Sequence, residues 1–282
     1  MNYKKGYKIK PKFTNVDGTV IFTDGTNEVQ PNQKACEAYG YKYDVESGTC
    51  YAFQHTRLDK KFSNDTSIIK GSRNVLEGGV NNAIILGNNN TLEGDNNNCN
   101  ITGSNHTIER DARHTSILGG TYATTKRTGE VVLGGGGFGS STSLAQTSIY
   151  HISNVSNGAD VTLYCNYNTS GTEQILIPKN SICIYEIYIT GLCFGGSSGT
   201  AGHYQARKLY GTLLCFEDGS FTHDAHSNED ITTSGTTGTI SIDTGTAYTF
   251  SVQVAGQSNV SVQWNATVKL YINQTNRVDL SP

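Results

Sequence analysis

The chain has 282 residues, room for two or three modules, with 32 glycines, four prolines, 16% charged residues and a formal net charge of −3. That make-up, rich in Gly, Tyr, Thr, Asn and Ser, points to a turn-rich all-β protein and away from a helical enzyme or a general nucleic-acid binder. The most apolar stretch, 182–194, carries Glu186 and is too short to cross a bilayer, so no membrane partner is expected.

Residues 1–12 hold Lys4, Lys5, Lys8, Lys10 and Lys12 and no acid. No apolar run follows, so this is not a secretory signal. A basic arm of this kind is expected to dock on a larger, acidic assembly. Asp-Gly pairs at 17–18 and 24–25 mark tight turns between short apolar runs. Residues 34–53 are the most aromatic segment. Tyr39, Tyr41 and Tyr43 either anchor it on a partner or close a small local core. The seven cysteines lack the close spacing of a metal site. Buried free thiols are the expectation for Cys99, Cys183, Cys193 and Cys215; Cys36 and Cys50 are the pair to consider for a disulfide, which a cytoplasmic origin disfavours. Residues 55–66 read as a polar linker with room for a short helix.

From 67 to 140 the chain repeats. Glycines fall at 71, 78, 87, 94, 103 and 119, with gaps alternating seven and nine and Arg110 in the one vacant slot. Two residues before each slot stands Ile69, Leu76, Ile85, Leu92, Ile101, Ile108 or Ile117, and three residues after it Asn74, Asn81, Asn90, Asn97, His106, Arg113 or Tyr122. A sixteen-residue period of this type predicts coils of two short strands and two turns, stacked in parallel at roughly 4.8 Å, with the Ile/Leu set inside and asparagines bonded along the axis. The coil between Tyr122 and Glu130 breaks the pattern and is expected to bulge. The residue before each core position points outward: Ile68, Val75 and Ile84 are apolar, the middle of the series is polar, and Val132 is apolar again. So thin a coil cannot hide both sets, so the outer one is expected to meet other copies, with three-fold packing as the inferred arrangement.

The run Ile85-Leu86-Gly87-Asn88-Asn89-Asn90-Thr91-Leu92-Glu93-Gly94 resembles the head repeats of trimeric autotransporter adhesins and the rods of tailed-bacteriophage fibre and appendage proteins. An adhesin would need an export signal and an anchor, so weight moves to the phage family, whose proteins assemble in the host cytoplasm. A small anchor followed by a coil rod is similar to fibre proteins of gut phages of the crAss-like group.

After the glycine-rich joint at 134–141, the apolar period becomes two. Strands are predicted at 147–155, 160–166, 173–178, 181–194, 203–216, 237–242, 247–255 and 259–273, the last two as a hairpin. Eight strands with turn signals suggest a jelly-roll-like β-sandwich. Its long polar loop carries His223, Asp224, His226, Glu229 and Asp230, a weak metal candidate without regular structure to fix it. His203, Tyr204 and Arg207 form the glycan-contact candidate, which a seam between copies would suit equally. Glu77, Glu93 and Glu109 recur at the coil spacing and read as a line of exposed charge on the rod, not as the paired carboxylates of a glycosidase.

The expectation is therefore an all-β chain: a short, trimeric parallel β-roll or β-helix rod with sixteen-residue coils, followed by a sandwich. Residues 1–60 anchor it on a virion through the major capsid or another virion protein, 67–140 form the rod, and 144–282 form the outer domain, able to bind host surface glycans. The leading reading is a homotrimeric head fibre decorating the capsid, because so short a rod reaches little beyond its base. A tail fibre that binds the receptor and a polysaccharide-degrading fibre are the alternatives. No catalytic residue, metal, cofactor or nucleic-acid partner is expected.

Overall fold

The computed structural model describes residues 9–15, 17–52, 67–136, 145–165, 173–235 and 237–282. They fall into two compact units, residues 1–62 and 63–282.

In the first unit β1 (Lys10–Thr14), β2 (Val20–Thr23) and β3 (Glu28–Val29) form an antiparallel sheet in that order. A helical turn and a half follows, α1 (Gln33–Ala38), then the hairpin β4 (Lys42–Asp44) and β5 (Thr49–Tyr51). Asn32 starts α1 because its Oδ1 accepts the Ala35 N–H at 2.9 Å, satisfying an otherwise free donor of the first turn. The core is small: Val20, Phe22, Cys36 and Cys50, flanked by Ile9, Val29, Tyr41, Tyr43 and Ala52. Cys36 and Cys50 are joined in a disulfide, where the cytoplasmic origin inferred from the sequence disfavours one; a module this small gains from a covalent staple beside its limited apolar burial. Tyr39 and Tyr41 set their rings edge-on to Phe22 at 5.8 and 6.3 Å, so the aromatic cluster closes this core. The helix lies at 33–38; the helix allowed for at 55–66 falls outside the described residues.

The second unit begins with the repeat. Its strands are β6 (Ile68–Lys70), β7 (Val75–Leu76), β8 (Ile84–Asn88), β9 (Thr91–Leu92), β10 (Asn100–Ser104), β11 (Thr107–Ile108), β12 (Ser116–Thr121), β13 (Thr124–Thr125) and β14 (Val131–Gly136). The even-numbered strands stack in parallel as one sheet, and β7, β9, β11 and β13 as a second, narrower one. This is a β-solenoid of about four coils. Ile85, Leu92, Ile101, Ile108 and Ile117 are fully buried, while Ile69 and Leu76 of the first coil are partly covered. Asparagine and histidine take the left-handed turn positions, at Asn82, Asn89, Asn98, Asn105 and His114, where a short polar side chain tolerates positive φ.

Two expectations fail at the end of the rod. The irregular coil does not bulge outward: Thr124–Thr125 pair with β11, one residue beyond the regular period, and Thr125 fills the buried slot. The extra residue is absorbed by a register shift in β12 at Gly119-Gly120, and the next coil is one residue short, so that Ile117 pairs with Val132. Val132 is consequently a core residue and not part of the outer ladder; Leu133 faces outward instead.

The remaining strands are β15 (Ala145–Asn157), β16 (Val161–Thr162), β17 (Ile175–Leu176), β18 (Ser181–Gly195), β19 (Tyr204–Cys215), β20 (Phe221–Ser234), β21 (Gly238–Asp243), β22 (Thr249–Gly256) and β23 (Ser261–Gln274). β15 pairs antiparallel with β14, so the rod's broader sheet runs on as β15-β23-β18-β19-β20 to make ten strands. A smaller sheet of β21, β22, β16 and β17 covers one face of the long strands. One core lies between them, with Tyr150, Ile187, Val262 and Trp264 from the long sheet against Phe250, Val252, Val254 and Ile240 from the small one. Where the sequence suggests a separate jelly-roll-like sandwich, the structure has two unequal layers, the larger continuous with the rod. The expected hairpin is absent: β22 pairs with β21, β16 and β17, whereas β23 pairs with β15 and β18. The turn between them crosses from one layer to the other. Both strands carry apolar alternation because they face each other across the core, which sequence periodicity cannot distinguish from pairing side by side.

Candidate binding face

The small sheet covers only one face of the ten-stranded sheet. The alternation of β18 shows the consequence: Cys183, Tyr185, Ile187 and Ile189 are buried, while Ile182, Ile184, Tyr188, Leu192 and Phe194 are about half exposed. A strand apolar on both faces normally has both covered. In β6 to β14 and the facing ends of the long strands, this outer face is in line with the rod. Beyond that the long strands overhang it, because the rod strands have at most six residues and β15, β18, β19, β20 and β23 have twelve or more.

Two shallow depressions lie on this face. The in-line one, about 400 Å³, is lined by Gly134, Thr147, Ile182, Ile184 and Tyr271. The overhanging one, about 300 Å³, is walled by Leu192 and Tyr204 and edged by Thr190, Gln263 and Asn265, with no charged side chain in its lining. An exposed aromatic ring beside aliphatic and amide groups suits a neutral polyhydroxylated ligand, which needs an apolar ring face and paired donors and acceptors.

The residues singled out from the sequence are only partly brought together. Tyr204 stands at the overhanging depression. Arg207 turns to the opposite face, where its guanidinium forms a two-pronged pair with Asp230, and the His203 ring lies against the backbone of Gly235. The trio is therefore not one site. Ile68 and Ile84 do face outward on the broad stack, 52% and 41% exposed, but Val75, also 52% exposed, belongs to the narrow stack and a different side of the coil. Lys4, Lys5 and Lys8 fall outside the described residues; Lys10 and Lys12 sit in β1, where the Lys12 ammonium pairs with Glu28 at 2.8 Å.

The polar loop expected at 221–234 is strand β20, at the sheet edge and open on both faces. Most of its side chains are polar because little packs on the strand beyond Phe221 and His223, so no apolar alternation reveals it. His223 turns inward, 2.9 Å from the Tyr185 hydroxyl, and burial lowers its pKa; His226 lies on the outer face against the Tyr210 ring. Imidazoles on opposite faces cannot share a metal. Among the described residues no group of three His, Cys, Asp or Glu side chains is placed to hold one.

The rod glutamates are engaged rather than free. Glu77 accepts the Gly94 N–H at 3.0 Å, Glu93 the Arg110 N–H at 3.1 Å, and Glu109 pairs with Lys126 at 3.1 Å, so each grips the next coil. Arg110 reaches back to Glu77 and Asp95. Sequence reasoning also missed Glu130, which is buried at the end of the rod. It accepts the Lys126 N–H at 2.7 Å and the Arg127 N–H at 3.4 Å, and burial pushes its carboxyl pKa up. Beside it, burial and then the Glu130 charge push the Cys165 thiol up to about 12, so that thiol is inert.

No protein-family model matches the chain, and no curated protein sequence matches it. Among solved structures it is similar to the tailspike protein of Acinetobacter baumannii phage AM24, at 9% identity and a TM-score of 0.26, over 74% of this chain and 48% of that one. It is also similar to tailspike gp49 of the A. baumannii bacteriophage Fri1, a capsular polysaccharide depolymerase, at 12% identity and a TM-score of 0.26, over 76% of this chain and 45% of that one. The chain thus spans about half the length of these tailspikes, and a TM-score of 0.26 carries no argument from them to this chain.

Proposed function

We propose that the chain is a homotrimeric fibre protein of a bacteriophage particle whose C-terminal half binds host-surface glycans. The observation that carries the reading is the rod itself. A β-solenoid of about four coils buries one apolar ladder and leaves Ile68, Ile84, Leu86 and Leu118 exposed on the broad sheet. That stripe has no cover within its own coils, and parallel copies around a common axis would bury it. The fibre-like repeat around Gly87 and Gly94 supports the phage assignment, and the uncharged depression at Leu192 and Tyr204 supports a receptor-binding role over passive decoration.

A second reading, a head fibre fixed to the capsid through residues 1–60, is favoured by the shortness of the rod, roughly 20 Å at 4.8 Å per coil. In either case the protein works by binding and is a component of the virion. Light scattering on the purified protein tests the assembly: a monomer sinks the fibre reading. Labelled antibody on particles, viewed by electron microscopy, separates tail from capsid. Glycan arrays with wild type and Tyr204→Ala test the ligand class, and release of reducing ends from capsular polysaccharide would replace the binding role with an enzymatic one.

A further inference from the structure

The outer apolar stripe does not end with the rod. Because β14 and β15 pair in register, residues at one height of the ten-stranded sheet can be followed across it. Leu86, Leu118 and Leu133 occupy one row, with Lys70 and Thr102 on its other two coils; Leu133 pairs with Thr147, Thr147 with Tyr271, and Tyr271 with Ile184. The next row runs from Ile68 and Ile84 through Asn100, Ser116, Val131 and Ile149 to Lys269 and Glu186. Both rows run along the stacking direction of the coils.

We infer that the contact between copies continues past the rod, and that a second copy of this chain packs on the in-line face of β14, β15, β23 and β18, around Leu133, Tyr271, Ile182 and Ile184. The inference rests on the trimeric reading above and extends it to the C-terminal half. Three observations select a second copy as the occupant. A row parallel to the stacking axis meets its own equivalents when copies pack side by side about that axis, so one continuous row makes one continuous seam.

The area is also sufficient. About eight large apolar side chains, each close to half exposed and offering roughly 80–100 Å², give roughly 640–800 Å² per chain, near the scale of a stable interface. Finally, the charges in the C-terminal part of the face are balanced inside the chain. Lys269 sits beside Glu186 in register and over the Tyr271 ring at 4.7 Å, while the Tyr271 hydroxyl donates to Glu186 at 3.2 Å. Over that part, copies can therefore approach without like charges meeting unpaired. The overhanging depression at Leu192 and Tyr204 lies farther along the strands, outside both rows.

The test uses the full chain and sedimentation or light scattering. Wild type is expected to be trimeric, Ile84→Glu in the rod and Ile184→Glu in the C-terminal half each to weaken assembly at least tenfold, and Leu192→Glu to leave it unchanged. A wild-type monomer removes the trimeric reading and this inference together. A trimer that Ile84→Glu dissociates and Ile184→Glu does not leaves the trimeric reading standing and overturns the inference. Since a buried charge could disturb folding, a photoreactive phenylalanine analogue at position 271 supplies an independent readout. Chain-to-chain cross-links on illumination are expected; cross-links confined to one chain mean that another part of the same chain covers the face, and also overturn it.

Discussion

The rod and the C-terminal half share one sheet, yet the neighbours for which glycine makes way differ between them. In the rod, glycine makes way for backbone. A Cβ on Gly71 would lie 1.9 Å from the carbonyl oxygen of Gly87, and one on Gly87 1.7 Å from that of Gly103. Those carbonyls are also the acceptors of the internal ladder: Asn74 Nδ2 donates to Gly87 O at 2.8 Å and Asn90 Nδ2 to Gly103 O at 3.0 Å. The glycine slot and the asparagine three residues later are thus two parts of one inter-coil joint. In the C-terminal half glycine also makes way for rings. A Cβ on Gly191 would meet the indole of Trp264 at 2.5 Å, and one on Gly211 both the carbonyl oxygen of Asp224 at 2.4 Å and the hydroxyl of Tyr185 at 2.5 Å. A ring can be trimmed by a second substitution, whereas a stacked backbone cannot.

The largest expected effect tests the first half of that comparison. Gly87→Ala combines a positive φ of 151° with a collision against backbone. It is expected to cost more than about 4 kcal/mol and to abolish hydrogen-exchange protection in the rod. A variant that melts within a few degrees of wild type would mean that the coils can slide apart, and the joint described above would be wrong.

Asn90→Ala should come next. Its side chain donates to Gly103 O and to Asn74 Oδ1 and accepts the His106 N–H at 3.0 Å, all inside the coil. Removing it strands buried donors and acceptors, with an expected loss of about 2–3 kcal/mol in denaturant melts. Gly191→Ala is expected to be milder, about 1–3 kcal/mol, because the indole can shift. The contrast sharpens in a double-mutant cycle: Trp264→Leu should offset part of the Gly191→Ala loss, a coupling of at least about 0.5 kcal/mol. Strict additivity would show that the ring is not what Gly191 accommodates.

How much of this was readable follows from the same contrast. Where each residue meets its own equivalent one coil later, local spacing is enough: all seven core positions from Ile69 to Ile117 face the interior, and Asn74, Asn90 and His106 form the inner ladder. The reading slipped where the period itself changed, at Gly119-Gly120, which moved Val132 inward, and on the narrow stack, where Val75 faces a different side and Asn96 rather than Asn97 is buried. In the C-terminal half, partners lie far apart in sequence; the Trp264 N–H donates to Ser156, 108 residues away. Most strand positions were legible there, but which strand paired with which was not, and edge strand β20 carried no apolar alternation. The binding face was half visible, since the run at 182–194 is apolar at both parities. Its amide rim, Gln263 and Asn265, was hidden in the polar alternation of β23.

The smallest effect concerns the one position where the ladder departs from asparagine. His106 is buried, and its Nδ1 accepts the Ala123 N–H at 3.0 Å, which requires the neutral ring. Burial lowers its pKa, and the carbonyls of Gly120 and Thr102 only partly oppose that. A base lowered in the folded state contributes stability that is intact above the ordinary histidine value of about 6.5 and is lost as the pH falls from there through the folded value, because the unfolded chain takes up the proton first. His106→Asn restores the residue found at Asn74 and Asn90 and removes the titration. Its melting temperature should therefore change less than that of wild type between pH 7 and pH 5, by roughly 2–4 °C. Glu130, whose pKa is raised, acts with the opposite sign: its contribution is present below the ordinary carboxylate range and lost as pH rises through the folded value. It cannot cause an acid loss. If the two proteins fall in parallel on acidification, groups other than His106 set the acid limit, and the rod interior tolerates a charged ring despite its packing.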